Sequence, residues 1–336
     1  MRDEAAARRT SEIDTAASLE VGPNAFLAAA IVEAALGGGV SGVRQQRNLH
    51  HAYVFDTLMT DGRRAVVRIA PPEGRAALCH TKAWIDRLNE AGVPVPRVLA
   101  FDGQSEFSSI VLEHMPGKRL GQIFSRLSLP AQGVLAGRLA DMQALIAAIE
   151  PAPAQPGLAH GPDNRPGPKL RWSEVLAVSL RHSRHRIELA GLIPASVADR
   201  VEARLTRLVD LLDHIPATLF MVGRLLSEAV VTESGQLTGI TDTGRFFRGD
   251  GRVVPAFALV DLLNAGHSGK LAEAWLALSG SEADASFWLY AAIGCLHLMG
   301  DYGGAQADAA MALKPSDRMR LEGVLDIAIT RIDRLR

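Results

Sequence analysis

Apolar residues recur at helical spacing in the longer stretches of the chain and crowd into short β-rich runs elsewhere. The first helical pattern runs from about Asn24 to Leu36 and ends at Gly37 to Gly39, which predicts a helix with a glycine-terminated end. Next comes "HAYVFDTLMTDGRRAVVRIAPP", two β-rich runs on either side of Asp61 and Gly62. This pattern predicts a hairpin whose second strand carries Arg68.

A helical pattern over 76–91 and two further extended runs, "GVPVPRVLAFDG" and "SSIVLEHMPG", complete the first half of the chain. Strands, a helix and more strands in this order predict a small antiparallel sheet with one helix packed on it.

From Leu127 onward the apolar spacing is mainly helical, with further helical stretches near 171–190, 196–214 and 272–301. A short β insert, "AVVTESGQLTGITDTG", turns at Ser234 and Gly235. We therefore predict an α+β chain with two lobes. The expected domains are a helical extension (1–39), a sheet lobe with one helix (40–116) and a helical lobe (117–336) with a Pro/Gly-rich surface excursion (151–169).

Composition limits the possible partners. The 36 Lys+Arg against 37 Asp+Glu leave no basic surface for sequence-independent nucleic-acid binding, so neither DNA nor RNA is expected. The two cysteines lie in apolar surroundings without metal-ligand spacing, which indicates buried thiols. The stretch "AFLAAAIVEAALGGGV" is too short to span a bilayer and follows no basic leader. We expect a cytoplasmic protein that does not enter a membrane.

Five stretches, in this order and spacing, resemble the aminoglycoside phosphotransferase family of the protein-kinase-like fold, and most closely its hygromycin phosphotransferase branch. They are "VVRIAPP", "AGVPVPRVLAFD", "VLEHMPGKRL", "LTGITDTG" and "MGDYGGAQADAA". The resemblance covers about 40–310, nearly the whole chain. It implies a small antiparallel-sheet N-lobe, a mainly helical C-lobe and a cleft between them.

The resemblance also implies roles for individual residues. Arg68 would pair with nucleotide phosphates, and the backbone around Glu113, His114 and Met115 would meet an adenine. Asp242 would be the metal-binding aspartate. The implied cofactors are ATP and magnesium.

The segment "MVGRLLSEAVV" departs from the family pattern HGDxxxxN, in which the aspartate takes a proton from the acceptor hydroxyl and the asparagine holds magnesium. Here Val222 stands for the histidine, Arg224 for the aspartate and Ala229 for the asparagine, while Gly223 is kept. A guanidinium cannot accept a proton, and general-base help is worth a factor of about 100 to 10,000. Its charge and the lost ligand also predict that magnesium binding is weakened or absent.

Two other carboxylates could change this interpretation. Glu228 is one residue before the asparagine position, so in the family conformation its side chain should point elsewhere; in a shifted register it could serve as the base. Asp242 either keeps its metal role or pairs with Arg224 in a charge-assisted hydrogen bond that closes the site.

The supporting phosphate contacts are altered as well. Bulky and cationic residues replace the small residues expected at the first strand turn, and they either bind an anion or form a solvated hairpin tip. These residues are Arg44, Arg47, His50 and His51. A glutamate partner for Arg68 is also missing from the following helix, where the plausible positions are His80, Thr81 and Lys82.

Three further features have alternative interpretations. His182 and His185 are spaced to hold a metal but are better explained as a solvated helix face. Phe246 and Phe247 with their neighbouring arginines form either an anion- or peptide-contact surface or a packed core with solvated arginines. His297, on an apolar face, is expected to be a core histidine with a hydrogen-bond partner.

These observations predict a pseudokinase that binds a nucleotide, a small molecule or a peptide between its lobes. Such a protein would assist a partner enzyme in a bacterial biosynthetic or modification pathway. The alternative is an active ATP-dependent phosphotransferase, acting on a small-molecule or peptide hydroxyl, with relocated catalytic groups. A third possibility is a structural subunit with a filled cleft.

Overall fold

The chain forms two compact units. The structure, a computed structural model, describes residues 22–46, 52–150, 155–159, 170–242, 245–302 and 315–335. The first unit, called here the sheet unit, comprises Met1–Lys82 and Arg97–His114. The second, the helical unit, comprises Ala83–Pro96 and Met115–Arg336.

The sheet unit is built on one five-stranded antiparallel sheet in the order β1-β2-β3-β5-β4. Its strands are β1 (Val40–Gln45), β2 (Tyr53–Met59), β3 (Arg64–Ala70), β4 (Val98–Asp102) and β5 (Ser108–Glu113). The predicted hairpin is confirmed: β2 pairs antiparallel with β3, and Gly62 in the turn has φ +87°. Glycine tolerates this left-handed conformation without the steric cost of a side chain.

Helix α1 (Ala25–Leu36) covers one face of this sheet. The Asn24 side chain caps its N-terminus by accepting hydrogen bonds from two backbone N–H groups, and Gly37 with φ +68° ends it, as predicted. Its buried Ala28 and Val32 pack with Phe55 and other apolar side chains of the sheet. The sheet therefore carries a helix from the segment before β1. Helix α2 (Arg75–Glu90) begins in the sheet unit, and its residues from Ala83 onward belong to the helical unit.

The helical unit contains ten further helices in its described part. They are α3 (Leu120–Ile123), α4 (Leu129–Ile149), α5 (Trp172–Ala190), α6 (Val197–Arg207), α7 (Val209–Asp213), α8 (Leu225–Glu228), α9 (Val253–Asn264), α10 (Lys270–Leu278), α11 (Ala285–Asp301) and α12 (Pro315–Arg334). Its strands form two small sheets, in the orders β10-β9-β6 and β7-β11-β8. These strands are β6 (Lys118–Arg119), β7 (Gly157–Ala159), β8 (Thr218–Met221), β9 (Ala229–Val231), β10 (Leu237–Ile240) and β11 (Phe246–Gly249).

Helix α11 lies at the centre of this unit and is buried along most of its length. Two close approaches depend on its glycines: Phe257 of α9 packs against Gly294, and Arg186 of α5 packs against Gly300. Cys295 of the same helix is buried, whereas Cys79 in the sheet unit is half-buried. Burial raises the pKa of the Cys295 thiol well above its usual range.

Several predicted elements differ in detail. The helical pattern over 272–301 is two helices, α10 and α11, because the intervening Ser279–Asp284 stretch contains Gly280 with φ +69°. The described part of the predicted surface excursion forms β7, which pairs with β11. The turn at Gly235 between β9 and β10 is confirmed, with φ +83°. None of the helices in the described ranges is long and apolar enough to cross a bilayer.

Candidate functional site

The segment "MVGRLLSEAVV" connects β8 to β9 through the single-turn helix α8. Strand β8 pairs with β11, and the Val222 N–H extends that pairing to the Arg245 carbonyl at 2.9 Å. Arg224 stands at the N-terminus of α8, and its carbonyl accepts hydrogen bonds from Ser227 and Glu228. The short turn buries Leu225, and it limits the positions that the side chains of Arg224 and Glu228, at its two ends, can reach. We call residues 222–229 the loop.

Arg224 forms a salt bridge with Asp261 of α9. Its Nη2 lies 3.2 Å from Oδ1 of Asp261, while Oδ2 accepts a hydrogen bond from the Leu226 N–H at 3.0 Å. Asp261 is only 7% exposed, so this carboxylate holds both the loop backbone and the guanidinium. Nothing in the sequence marks Asp261 as this partner. The pairing of Arg224 with Asp242 stays a prediction.

Glu228 closes the loop from its other end. The carboxylate folds back against Gly223, where it occupies the space that a Cβ on residue 223 would need. Its role as a base in a shifted register stays a prediction. Burial, followed by the negative charge of Asp242, raises the pKa of Glu228 to about 8, although a backbone hydrogen bond from Arg224 and the charge of Arg245 act in the opposite direction. Glu228 therefore holds a proton at neutral pH in the folded protein.

Ala229 is fully buried at the start of β9, where it pairs with Ile240. A methyl group offers no oxygen to a metal ion, and magnesium in proteins needs oxygen ligands in near-octahedral geometry. Within the described ranges, no group of three or more His, Cys, Asp or Glu side chains is arranged to hold a metal. Ala229 therefore supplies no ligand at the position where the family pattern has its magnesium-binding asparagine.

A largely apolar pocket of about 120 Å³ opens beside the loop. Its walls come from α5, β8, the loop, β11, α9 and α11, all within the helical unit. Aromatic side chains provide much of this wall: they are Trp172, Phe220, Phe247, Phe257 and Tyr290. The Phe220 and Phe247 rings are nearly parallel, with centroids 6.1 Å apart, and Trp172 meets Phe220 edge-on.

Three ionisable side chains besides Arg224, Asp261 and Tyr290 line this pocket: His297, Asp301 and Arg245. His297 hydrogen-bonds through Nε2 to the Ser179 hydroxyl at 2.7 Å, and burial together with the charge of Arg186 lowers its pKa to about 4. It is the hydrogen-bonded histidine that was predicted, and it is neutral at pH 7. Asp301 pairs with Arg186. Arg245 is exposed and forms no hydrogen bond or ion pair through its guanidinium with any residue in the described part.

A second charged cluster lies beneath the pocket, and we call it the Asp250 cluster. Asp250, 5% exposed, accepts a hydrogen bond from the Tyr290 hydroxyl at 2.8 Å and forms a salt bridge with Arg252 at 2.7 Å. Arg252 also contacts Asp284 at 2.6 Å, and Asp284 caps α11. The Tyr290 hydroxyl accepts a further hydrogen bond from Trp172 Nε1 at 3.0 Å.

Phe246 of the neighbouring "GRFFRGDGR" segment is part of the core. Phe246 is fully buried and stacks on Trp84 with ring centroids 4.1 Å apart. Arg248 forms a bidentate pair with Glu150 at 2.5 and 2.7 Å. These contacts support the alternative in which the phenylalanines are packed. The expectation that the neighbouring arginines are solvated is wrong for Arg248 and Arg252, whose side chains are only 15% and 18% exposed.

The residues implied for nucleotide binding lie in both units. Arg68 is buried on β3, between Val54 of β2 and Ile110 of β5. Glu113 ends β5 and accepts a bidentate pair from Arg97 at 2.9 and 3.2 Å. Burial, followed by the charge of Arg64, lowers the pKa of His114.

Met115 belongs to the helical unit. Its methyl group and the Pro94 carbonyl lie so close to Gly239 of β10 that residue 239 has no room for a side chain. The nucleotide roles themselves stay predictions for all four residues.

The remaining predicted candidates belong to other elements or fall outside the described residues. Arg44 pairs with Asp56 at 3.0 Å, while Arg47, His50 and His51 fall outside the described ranges, as does most of "MGDYGGAQADAA". Thr81 is buried and donates to the Ala77 carbonyl at 2.9 Å. His182 and His185 are exposed on α5, in keeping with a solvated helix face.

Comparisons with known proteins connect this geometry to a family. The model of the APH phosphotransferase enzyme family matches residues 51–226, slightly more than half of the chain, and the match ends inside the loop. A direct comparison with curated proteins found no match.

Solved structures share the fold at low sequence identity. The streptomycin–ATP ternary complex of APH(2″)-IIa has a TM-score of 0.59 at 13% identity, over 93% of this chain and 99% of that chain. A putative fructosamine-3-kinase from Thermobifida fusca has a TM-score of 0.57 at 20% identity, over 90% and 98%. APH(3″)-Id from Streptomyces rimosus, in complex with ADP and streptomycin, has a TM-score of 0.56 at 16% identity, over 81% and 98%.

These likenesses confirm the α+β fold with an antiparallel sheet and a mainly helical remainder. On the match over residues 51–226, the chain belongs to the APH phosphotransferase enzyme family and has its kinase-like fold.

Proposed function

We propose that this member of the phosphotransferase family is a pseudokinase that binds a small molecule in the pocket beside the loop and does not transfer phosphate. The observation that carries the proposal is the Arg224–Asp261 salt bridge at 3.2 Å. By motif comparison, Arg224 corresponds to the proton-accepting aspartate of the family pattern, and the salt bridge holds this permanently protonated guanidinium in the loop. The ligand-sized apolar pocket next to it supports a binding role.

Nucleotide binding is a secondary part of the proposal. The solved relatives include complexes with ATP and with ADP, and this chain has a buried arginine, Arg68, on the strand where the resemblance implies a phosphate contact. Magnesium does not fit, because Ala229 supplies no ligand and Arg224 adds a nearby positive charge. We therefore expect ATP to bind weakly and without a requirement for magnesium.

A pseudokinase that only binds a ligand would exert its effect through a partner enzyme. This part of the proposal rests on analogy between folds and on the chemistry missing from the loop, since no residue here identifies a partner. Capture of the tagged protein from its native host, with Arg224→Asp and wild-type chains compared, is the corresponding experiment. A partner enzyme retained by both chains is the expected result, and the absence of any retained enzyme contradicts this part.

ADP release during incubation with ATP tests the central claim. With magnesium and a panel of small-molecule hydroxyl acceptors, the wild type should release ADP no faster than its Asp242→Ala variant. Thermal shift gives a second measurement, because a ligand that binds the folded state raises the midpoint. Magnesium-dependent ADP release that Asp242→Ala abolishes would overturn the proposal.

The second candidate is an active phosphotransferase with Glu228 as its base. It is favoured by one observation: the Glu228 carboxyl lies against Gly223 in the loop, with its pKa raised to about 8. A base with a pKa near the working pH is suited to take a proton from an acceptor hydroxyl. Turnover that rises with pH to a midpoint near 8 and disappears in Glu228→Gln would establish this function instead.

A further inference from the structure

The pocket beside the loop has the dimensions and wall chemistry of an aromatic-ring site. Its volume of about 120 Å³ is close to the roughly 150 Å³ of an engineered apolar cavity that binds benzene. The Phe247 and Phe257 rings form two of its walls, and Trp172 and Tyr290 lie on others. Aromatic walls favour a planar ring, since stacked and edge-on contacts add to the gain from burial.

The polar groups deep in the pocket are already paired within the protein. The Tyr290 hydroxyl is hydrogen-bonded to Asp250 and Trp172. The Ser179 hydroxyl and the His297 ring are hydrogen-bonded to each other. An uncharged ring could occupy this part of the pocket without leaving a buried polar group unpaired.

The charged side chains that line the pocket are two arginines and two aspartates, but only three of them are held in salt bridges. Asp261 is paired with Arg224, and Asp301 with Arg186. His297 is neutral at pH 7, because burial and Arg186 lower its pKa to about 4. Arg245 remains: its guanidinium lines the pocket and forms no salt bridge with a described residue, although its charge acts on the buried Glu228 carboxyl. Nε of Arg224 is a second donor there, buried and without a hydrogen bond in the described part.

We propose that the pocket takes a small aromatic carboxylate, with its ring between the aromatic walls and its carboxylate on the Arg245 guanidinium. Arginine binds a carboxylate through two parallel hydrogen bonds, which fixes orientation as well as affinity. An amine would be repelled by Arg245. A phosphate dianion would be disfavoured, since a single unpaired guanidinium leaves its second charge uncompensated.

This inference rests on the proposed binding function and names its ligand class. Calorimetric titration of the full chain at pH 7 with four single-ring probes tests it. The probes are 3-phenylpropionate, 3-phenylpropanol, 3-phenylpropylamine and phenyl phosphate. We expect the carboxylate to bind at least about tenfold more tightly than the alcohol, the amine and the phosphate, the size of effect that a charge-assisted hydrogen bond gives.

Two variants locate the interaction. Arg245→Gln should weaken binding of the carboxylate by about ten- to a hundredfold and leave the affinity for the alcohol unchanged. Val175→Trp should abolish binding of every probe, because Val175 is a half-buried lining residue whose enlargement fills the pocket. Val175→Met is the smaller filling variant should the tryptophan prevent folding. Arg181→Gln, at an exposed arginine of α5 that does not line the pocket, is the matched control.

The inference is overturned if no probe binds, if the alcohol, the amine or the phosphate binds as tightly as the carboxylate, or if Arg245→Gln and Arg181→Gln behave alike. Failure of the proposed function is a separate result, since it would appear as magnesium-dependent ADP release. If the chain turns over ATP and binds the carboxylate, the proposed ligand class stands and the pseudokinase proposal fails. If it does neither, only the pseudokinase proposal stands.

Discussion

The Asp250 cluster and the loop contain similar charged groups but satisfy them to different degrees. In the Asp250 cluster, the carboxylate has an arginine and a tyrosine hydroxyl as partners, and Arg252 reaches a second carboxylate, Asp284. In the loop, Arg224 has one partner at 3.2 Å, and its buried Nε has none in the described part. The pKa of the Glu228 carboxyl, also in the loop, is raised to about 8.

This difference separates charges that stabilise the fold from charges that do not. A buried ion pair repays its desolvation only with good geometry and further hydrogen bonds, and the Asp250 cluster meets both conditions. A half-satisfied cluster costs free energy, and groups with perturbed pKa values collect at functional sites. The loop therefore has the perturbed electrostatics that are typical of functional sites.

The largest effect should come from breaking the satisfied cluster. Asp250→Asn leaves Arg252 buried with a weakened partner, so we expect the free energy of unfolding to fall by about 3–5 kcal/mol, as measured by urea denaturation. The matched control is Asp199→Asn, which removes an exposed partner of Arg184 and should cost less than about 1 kcal/mol. Equal losses in the two variants would show that the Asp250 cluster is not more stabilising than a surface pair.

Glu228→Gln should act in the opposite direction and stabilise the protein. A carboxyl whose pKa rises from 4.5 to about 8 on folding binds its proton more tightly in the folded state. The free energy of unfolding then falls as pH rises from 4.5 to 8. Glutamine removes this dependence. We expect a gain of up to about 4 kcal/mol at pH 8 and little change at pH 4, measured by urea denaturation at both values. A destabilised variant at pH 8 would contradict the placement of Glu228 against Gly223.

Arg224→Met should give the smallest of the three effects. It removes the partner of Asp261 but leaves the hydrogen bond from the Leu226 N–H, and the Arg224 side chain is 36% exposed. We expect a loss of about 1 kcal/mol. Arg97→Gln, which breaks the exposed pair with Glu113, should cost less than about 0.5 kcal/mol and is the control. A loss as large as that of Asp250→Asn would mean that the loop is as well satisfied as the Asp250 cluster.

The elements that the sequence predicts well are those determined locally. The β2–β3 hairpin depends on a turn at Asp61 and Gly62, and α1 depends on an Asn cap and a terminal Gly37, so each signal lies within a few residues of the element. Helix α9 was not predicted. Its "VVPAFALVDLLN" is apolar on nearly all sides and contains Pro255, so the run has no helical periodicity to detect.

The site was harder to predict because its contacts are long-range. The Arg224–Asp261 pair joins residues 37 apart, and its formation depends on how α9 packs beside the loop. The position of Glu228 depends on the single turn α8, which returns the side chain towards Gly223. A motif comparison aligns residues by order, so it predicts which positions are replaced, but it contains no information on which side chain folds back.

The unequal burial of the two cysteines gives the protein a built-in attachment point for spectroscopic labels. Thiol reagents react with the thiolate, and Cys295 is buried within α11 with a strongly raised pKa, so a maleimide dye should modify only Cys79 in the folded chain. A fluorophore can thus be placed on the sheet unit without deleting either cysteine. Labelling of Cys295 would then report the opening of α11, and its rate would measure how often the core of the helical unit unfolds.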